Sequence, residues 1–140
     1  MNIKISLILI ILLYFSNTKA GKIKIAVSNI NQIDGEIHYG VYDNATLFPK
    51  EEGKLIGGFK KASDVLNTGI TIENLEESYY AIAIYHDLNS NFKFDTFLAI
   101  PKEKYGFSNN AKVFFGPPKF NDASIFVGKN ETVEIDIELR

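Results

Sequence analysis

Residues 132–139, with the sequence TVEIDIEL, alternate apolar and polar side chains at every position. An alternation of period two is typical of a strand with one buried face and one solvated face. Residues 22–28, with the sequence KIKIAVS, repeat the pattern and place Ile23, Ile25 and Val27 on one face. Both stretches are therefore predicted to be half-buried β-strands.

Further strands are predicted by shorter runs of the same kind. Asp34 and Gly35 form a turn signal before residues 36–43, and residues 69–73 and 123–127 are also rich in branched apolar side chains. Helical spacing is weak everywhere except for a turn or two within residues 59–66. The pattern predicts an all-β chain, folded as a single antiparallel β-sandwich of immunoglobulin-like or transthyretin-like type.

Residues 79–85, with the sequence YYAIAIY, are apolar on both faces. A strand of this kind is expected near the middle of a sheet, where both of its faces are covered. The run continues directly into His86 and Asp87, so a polar loop starts at the end of a rigid element. Such a loop is a favourable place for a functional site.

Residues 1–20 have the organisation of a secretory signal peptide. Lys4 provides a basic start, residues 5–15 are apolar apart from Ser6, and Thr18 and Ala20 form a small-residue exit. Cleavage after Ala20 is predicted to leave a mature domain of residues 21–140 in the periplasm, on the cell surface or outside the cell. The alternative is a membrane anchor, but the apolar run is shorter than the roughly 20 residues that span a bilayer. No stable anchor is therefore expected after cleavage.

The length and composition of the chain limit the classes of function that it can have. The chain has 140 residues, no Cys, and 15 basic against 17 acidic side chains, for a net charge of −2. This length predicts one domain, and this charge disfavours a nucleic-acid partner. Without Cys the domain has no disulfides, so its stability comes from the core, with help from any bound metal.

Residues 86–122 lose the alternation and are predicted to form a long, aromatic-rich loop segment. Three of the four prolines lie here, as Pro101, Pro117 and Pro118, and proline cannot donate a hydrogen bond to a neighbouring strand. Long connections in compact domains are usually functional or packed on themselves. Two interpretations stay open: the Phe side chains plug one end of the sandwich, or they form a ligand-binding surface.

A candidate calcium loop lies at the start of this segment. Oxygen-bearing side chains occupy its first, third, fifth and ninth positions, as Asp87, Asn89, Asn91 and Asp95, and the backbone carbonyl of Lys93 occupies the seventh. Calcium takes six to eight oxygen ligands, which a curled loop presents on its inner side. With two carboxylates and two amides, the expected dissociation constant is about 10⁻⁴–10⁻³ M, as in extracellular modules.

The loop is not an EF-hand. Phe92 stands where a Gly normally allows the sharp turn, and Leu98 stands where a bidentate Glu would complete the site. The alternative to an ion site is an Asx-rich turn whose side chains hydrogen-bond their own backbone.

Signals for catalysis are weaker. His38 and His86 have no paired spacing of a zinc site, and Ser108 lacks the Gly-x-Ser-x-Gly context of a nucleophile elbow. A hydrolase acting on a glycan or peptide would use His86 with Asp87 or Asp95. We expect a non-enzymatic protein.

Four blocks of the sequence together resemble a family of secreted bacterial proteins known as domain of unknown function 2141. They are YHDLNSNFKFD at residues 85–95, IPKE at 100–103, YGFSNN at 105–110 and GPPKF at 116–120. The resemblance covers essentially the whole mature chain. It implies a single extracytoplasmic β-sandwich with no established activity.

The leading hypothesis is an exported binding or interaction module in which a calcium loop braces an aromatic surface. Its natural ligand would be a protein or a glycan. The candidate surface residues are His86, Phe107, Ser108, Asn109, Asn110, Pro117, Pro118 and Phe120. The alternatives are the hydrolase described above and a purely structural domain with a self-braced loop.

Overall fold

A computed structural model describes residues 20–140; the predicted signal peptide, apart from Ala20, lies outside the described residues. The described chain is built mainly from strands, with two short α-helices and two single-turn 3₁₀-helices, Glu51–Gly53 and Ser108–Asn110. The elements are β1 (Gly21–Ser28), β2 (Glu36–Tyr42), β3 (Ile56–Lys61), α1 (Ala62–Thr68), β4 (Ile70–Leu75), β5 (Ser78–Asp87), β6 (Thr96–Phe97), β7 (Ile100–Pro101), β8 (Tyr105–Phe107), α2 (Phe120–Ala123), β9 (Ile125–Val127) and β10 (Thr132–Glu138). The predicted all-β class is confirmed.

The strands form two main sheets and one small hairpin. The smaller sheet has the order β10–β1–β4, and the larger has the order β3–β2–β5–β8, with β9 also paired to β5. Strands β6 and β7 pair only with each other. Every pair is antiparallel except one, because β1 runs parallel to β10. That pair departs from the predicted antiparallel arrangement.

Both main sheets contribute side chains to one apolar core. Alternation in β1 and β10 buries Ile23, Ile25 and Ile137 from the smaller sheet. From the larger sheet, Ile37 and Ile82 are fully buried in the same cluster. The strand patterning of the sequence thus places this core on the inner faces of the two sheets.

A second apolar cluster covers part of the outer face of the larger sheet. Its members come from strands and from the loops that cross this face: Tyr42, Phe48, Ala81, Phe107, Ala111 and Ala123. Strand β5 lies between β2 and β8, as its sequence predicts, but among the apolar side chains of its outer face only Ala81 is fully covered, since Tyr79 is 58% exposed and Ala83 and Tyr85 are half-buried.

The segment 86–122 is more ordered than a loop. It contributes the hairpin of β6 and β7, the strand β8 on the edge of the larger sheet, and the start of α2. Strand β9 begins only at Ile125, because Phe120–Ala123 is helical. Between Ala20 and Arg140, no helix has the length and apolar character needed to cross a bilayer.

Candidate functional site

A row of small residues crosses the outer face of the larger sheet. Gly57 in β3, Gly40 in β2 and Ala83 in β5 lie side by side in register. Because none of them carries a large side chain, the sheet surface is depressed along this row. The aliphatic part of Lys54 lies over the two glycines, and a Cβ at Gly57 would stand 2.5 Å from its Cδ atom. The row forms the floor of a groove.

The next row along the sheet is aromatic. Phe59, His38, Tyr85 and Tyr105 are in register across β3, β2, β5 and β8. The His38 ring is stacked between Tyr85, at 4.8 Å between ring centroids, and Phe59, at 5.3 Å. The edge of Phe92 closes over the same ring at 5.3 Å. These rings form one wall of the groove.

The groove has a volume of about 1210 Å³. Two parts of the aromatic segment form its other walls, the 92–101 region and residues 113–117. Phe114 is 79% exposed, so the rim presents apolar surface to solvent. Apolar patches of this kind on a folded protein mark interaction sites.

The candidate calcium loop adjoins the groove, and its first residue is its anchor. Asp87 is fully buried at the end of β5. Its Oδ1 accepts the N–H of Asn91 at 3.1 Å, and its Oδ2 accepts the N–H of Phe92 at 2.7 Å. Phe92 itself has φ +62°, so a non-glycine residue adopts the left-handed backbone that the tight turn requires.

The other predicted ligands form one network of side chains. The amide groups of Asn89 and Asn91 donate to the carboxylate of Asp95 at 2.8–3.0 Å. The hydrogen bonds from Asn91, and to a smaller extent that from Asn89, lower the pKa of Asp95. The amide oxygens of Asn89 and Asn91 accept the N–H groups of Asn91 and Lys93. Three of the predicted side chains, Asn89, Asn91 and Asp95, are thus drawn together in an Asx-braced loop, while Asp87 holds the loop backbone, and calcium binding by the loop remains a prediction.

Glu103 joins this loop to the chain that follows it. Its Oε2 accepts the N–H of Asp95 at 3.0 Å, and burial raises the pKa of its carboxyl group. Nothing in the local spacing of the sequence indicates this contact, since Glu103 lies beyond the β6–β7 hairpin.

A second group of polar side chains faces the same end of the groove. Glu36 and His38 lie two residues apart on β2, and Asp87 pairs with Glu36 across the sheet. One ligand atom from each of the three lies within 4.8 Å of the other two. Burial lowers the pKa of His38, against the opposing effect of the Asp87 carboxylate. Glu36 and His38 are two residues apart on a strand, so their side chains lie on the same face. This spacing is the feature of the sequence that could have predicted a candidate metal site there.

Comparison with known families adds one finding. The model of a family described as "Uncharacterized protein conserved in bacteria (DUF2141)" matches residues 25–135. The chain belongs to this family. The match runs from β1 to β10, so the groove and the loop lie within the DUF2141 region. No curated protein and no solved structure matches the chain.

In this DUF2141 chain, His86 lies away from the groove. It follows Tyr85 on β5 and therefore points to the opposite face of the sheet, where it is buried. Its Nε2 lies 2.7 Å from the carbonyl oxygen of Asp34 and donates a hydrogen bond to it. The ring is thus a structural tie between β5 and the turn before β2.

In the Gly-Phe-Ser-Asn-Asn block of the DUF2141 chain, Ser108, Asn109 and Asn110 join neighbouring elements through side-chain hydrogen bonds to the backbone. Ser108 is fully buried, and its hydroxyl group bonds to the backbone of Ile82 and Ala123. The amide of Asn109 donates to the carbonyl of Ser124 at 2.8 Å, and Asn110 Oδ1 accepts the N–H of Glu138 at 2.8 Å. None of these three residues lines the groove.

The remaining predicted surface residues divide between groove and interior. Phe107 and Pro117 line the groove. Pro118 is buried, and Phe120 packs against Phe48 at 6.0 Å between ring centroids. Some rings of the aromatic segment pack in a core cluster and others line the groove, and ligand binding by the groove remains a prediction.

Proposed function

We propose that this DUF2141 chain is an exported, non-enzymatic binding module whose ligand lies in the groove on the outer face of the larger sheet. The observation that carries the proposal is a floor of Gly57, Gly40 and Ala83 beside a wall of registered aromatic rings. Concave apolar surfaces with a few fixed polar groups are the usual form of a binding site.

The ligand class that fits best is an extended peptide with apolar side chains. The groove, at about 1210 Å³, exceeds the roughly 300–1,000 Å³ of ordinary small-molecule pockets. Phenylalanine is the most frequent aromatic residue in its lining, and a Phe ring forms no conventional hydrogen bond. The many hydroxyl groups of a glycan would lose water there without gaining equivalent partners.

A peptide display library and a glycan array, both probed with the mature chain, test this assignment. The library is expected to enrich peptides with closely spaced apolar residues. Phe59→Ala, which removes a 55% exposed ring from the wall, is expected to weaken their binding at least about 10-fold, the effect of an interface hot spot.

The matched control is Phe126→Ala, which removes a 48% exposed ring beside Tyr79 and outside the groove. Binding by this variant should equal that of the unmodified chain. Equal losses in both variants, or enrichment of glycans alone, would refute the assignment of a peptide groove.

We further propose that calcium braces the loop through Asp87, Asn89, Asn91, Asp95 and the carbonyl of Lys93. What supports this assignment is the proximity of the Asn89 and Asn91 side chains to the Asp95 carboxylate, although their NH2 groups and not their oxygens face it. Calcium should then raise the midpoint of thermal melting, a chelator should reverse the gain, and Asp95→Asn should abolish it. An unchanged midpoint in the unmodified chain would refute calcium binding.

A purely structural loop is the second candidate, and one observation favours it. The side-chain oxygens of Asp87, Asn89 and Asn91 already accept backbone N–H groups. In that case the loop is rigid without an ion, and calcium leaves its melting unchanged. The hydrolase alternative has no such support, because the His86 ring is hydrogen-bonded to Asp34 on the face away from the groove.

We also propose that the chain is exported and that its two sheets form a β-sandwich. The basic, apolar and small-residue regions of residues 1–20 support a cleaved signal peptide, and β1 begins at Gly21, directly after the predicted cleavage site. The common core between two sheets supports a sandwich related to immunoglobulin-like or transthyretin-like domains.

A further inference from the structure

Three side chains at the end of the groove have the chemistry of a transition-metal site. Glu36 and His38 project from the same face of β2, and Asp87 lies opposite Glu36 on β5. We propose that Glu36, His38 and Asp87 bind a divalent ion of the zinc type. The site lies beside the proposed peptide groove, which His38 also lines, and it shares one ligand, Asp87, with the proposed calcium loop.

The imidazole of His38 provides the observation that points to a ligand. Its Nε2 atom is buried and has no hydrogen-bond partner within residues 20–140. The nearest carboxylate oxygen, Oδ2 of Asp87, is 3.2 Å away. Two ligands of one tetrahedral zinc ion, each at about 2.0–2.1 Å from the metal, are about 3.3 Å apart. This separation is that of two ligands of one ion and also that of an ion pair, but Nε2 makes no well-directed hydrogen bond to Oδ2, and a buried polar atom in that state is rare.

Each of the three groups is held in place by neighbours that are not ligands. The His38 ring is stacked between Phe59 and Tyr85. Asp87 accepts N–H groups from the loop through both of its oxygens. The hydroxyl of Ser90 donates to Glu36 Oε2 at 2.5 Å. Supporting contacts of this kind orient metal ligands and increase affinity.

The donor set selects the class of metal. One imidazole nitrogen with two carboxylate oxygens suits zinc and similar first-row ions, whereas calcium requires six to eight oxygens. The two carboxylates also balance the charge of a divalent ion. Three protein ligands leave a fourth position open, as in zinc sites that bind an exogenous group. Because His38 and Phe92 also line the groove, that position lies beside it.

Metal titration of the mature chain, freed of metal with a chelator, tests the site. One equivalent of Zn²⁺ should bind, and Co²⁺ should give the visible absorption of a low-coordinate nitrogen and oxygen site. His38→Gln should weaken Zn²⁺ at least about 100-fold, beyond the 10–100-fold loss typical of supporting residues. Asp95→Asn is the matched control, because it disrupts the proposed calcium loop and leaves all three zinc ligands in place.

Nuclear magnetic resonance of the imidazole nitrogens gives a second test that needs no folded variant. The chain has two His residues, so each ring gives its own signals. Zn²⁺ should shift the Nε2 signal of His38 and leave that of His86, which is bonded to Asp34. Binding of Zn²⁺ to His38→Gln with unchanged affinity, or a shift at neither ring or at His86 alone, would overturn the proposal. If Asp95→Asn weakens the binding of Zn²⁺ and of Ca²⁺ equally, the proposal is also overturned, because both ions would then bind in the loop.

Discussion

The hydroxyl oxygen of Ser108 accepts the backbone N–H of Ile82 at 2.8 Å. Along this edge of β5, β9 pairs with Ser78–Tyr80 and β8 pairs with Ala83–Tyr85. Among residues 20–140 the backbone between these two pairings has no strand partner on that side, and Ser108 takes the place of one. The same hydroxyl donates to the carbonyl oxygen of Ala123 at 2.5 Å, so it also holds α2 against the sheet.

Ser108→Ala is therefore expected to destabilise the fold by about 1–3 kcal/mol, since it leaves the buried N–H of Ile82 without a partner. Urea unfolding measures the loss. Ser124→Ala is the matched control, because its hydroxyl makes one longer bond, 3.3 Å, to the carbonyl of Asn121. Its expected cost is within about 0.5 kcal/mol. Similar losses in the two variants would contradict the role given to Ser108.

Gly35→Ala should be strongly destabilising. Gly35 has φ +73°, and a Cβ at this position would overlap the carbonyl oxygen of Asp87. Relief requires the backbone of two strands to move, at an expected cost of about 2–4 kcal/mol in urea unfolding.

Gly57→Ala is the matched control, because it shows how much a Gly→Ala substitution changes the free energy of unfolding where the backbone does not obstruct the new Cβ. The added Cβ would meet only the side chain of Lys54, which can move aside. Its expected cost is below about 1 kcal/mol. Equal free energies of unfolding for Gly35→Ala and Gly57→Ala would contradict the close packing of Gly35 against the Asp87 backbone.

Tyr42 should make stability sensitive to alkali. Burial, aided by Glu51, raises the pKa of its phenol from 10.0 to about 12. Between these values the unfolded chain loses the phenol proton and the folded chain keeps it, so the stability that this group contributes below pH 10 is lost as the pH rises toward about 12. Urea unfolding across this range should show the decline, and Tyr42→Phe should reduce it.

Tyr79→Phe is the control for that titration, because Tyr79 is 58% exposed. It should leave the alkaline decline unchanged. Tyr42→Phe should also cost about 1 kcal/mol at neutral pH, where the phenol donates to the carbonyl of Pro49 at 3.1 Å. A decline that is the same in both variants would show that Tyr42 ionises normally.

Processing of the full chain in a bacterial host should yield a protein that begins at Gly21. N-terminal sequencing of the exported product checks this result. Ala20→Pro should cause the precursor to accumulate, because the processing site requires a small residue there. A mature chain that starts elsewhere, or no processing at all, would contradict the predicted signal peptide.

The alternation of residues 22–28 and 132–139 was sufficient to predict β1 and β10, because the period of side chains is local information. Their partnership was not predictable. Lys22 pairs with Thr132 in a parallel register that depends on how the whole chain returns to the first strand. Strand β3 was missed for a different reason: Gly57 and Gly58 weaken a strand signal, although Gly57 lies opposite Gly40 to form the groove floor.

The same distinction applies to the site. The oxygen spacing of residues 87–95 predicts a curled loop, and the contacts among Asn89, Asn91 and Asp95 span only a few residues, so they are local information; calcium binding remains a prediction. The cluster of Glu36, His38 and Asp87 depends on the register between β2 and β5, which the sequence does not specify. Ser108 lacks a catalytic context in the sequence, and its role as a backbone partner depends on a gap between two strands that are distant in the chain.

The parallel pairing of β1 and β10 has a mechanical consequence. Seven residue pairs, from Lys22 with Thr132 to Ser28 with Glu138, lie side by side in the same direction. Tension applied at Gly21 and Arg140 would pull the two strands lengthwise past each other, so the hydrogen bonds between them would share the load and break together rather than one by one. A domain of this topology that is held at both ends should for this reason resist stretching.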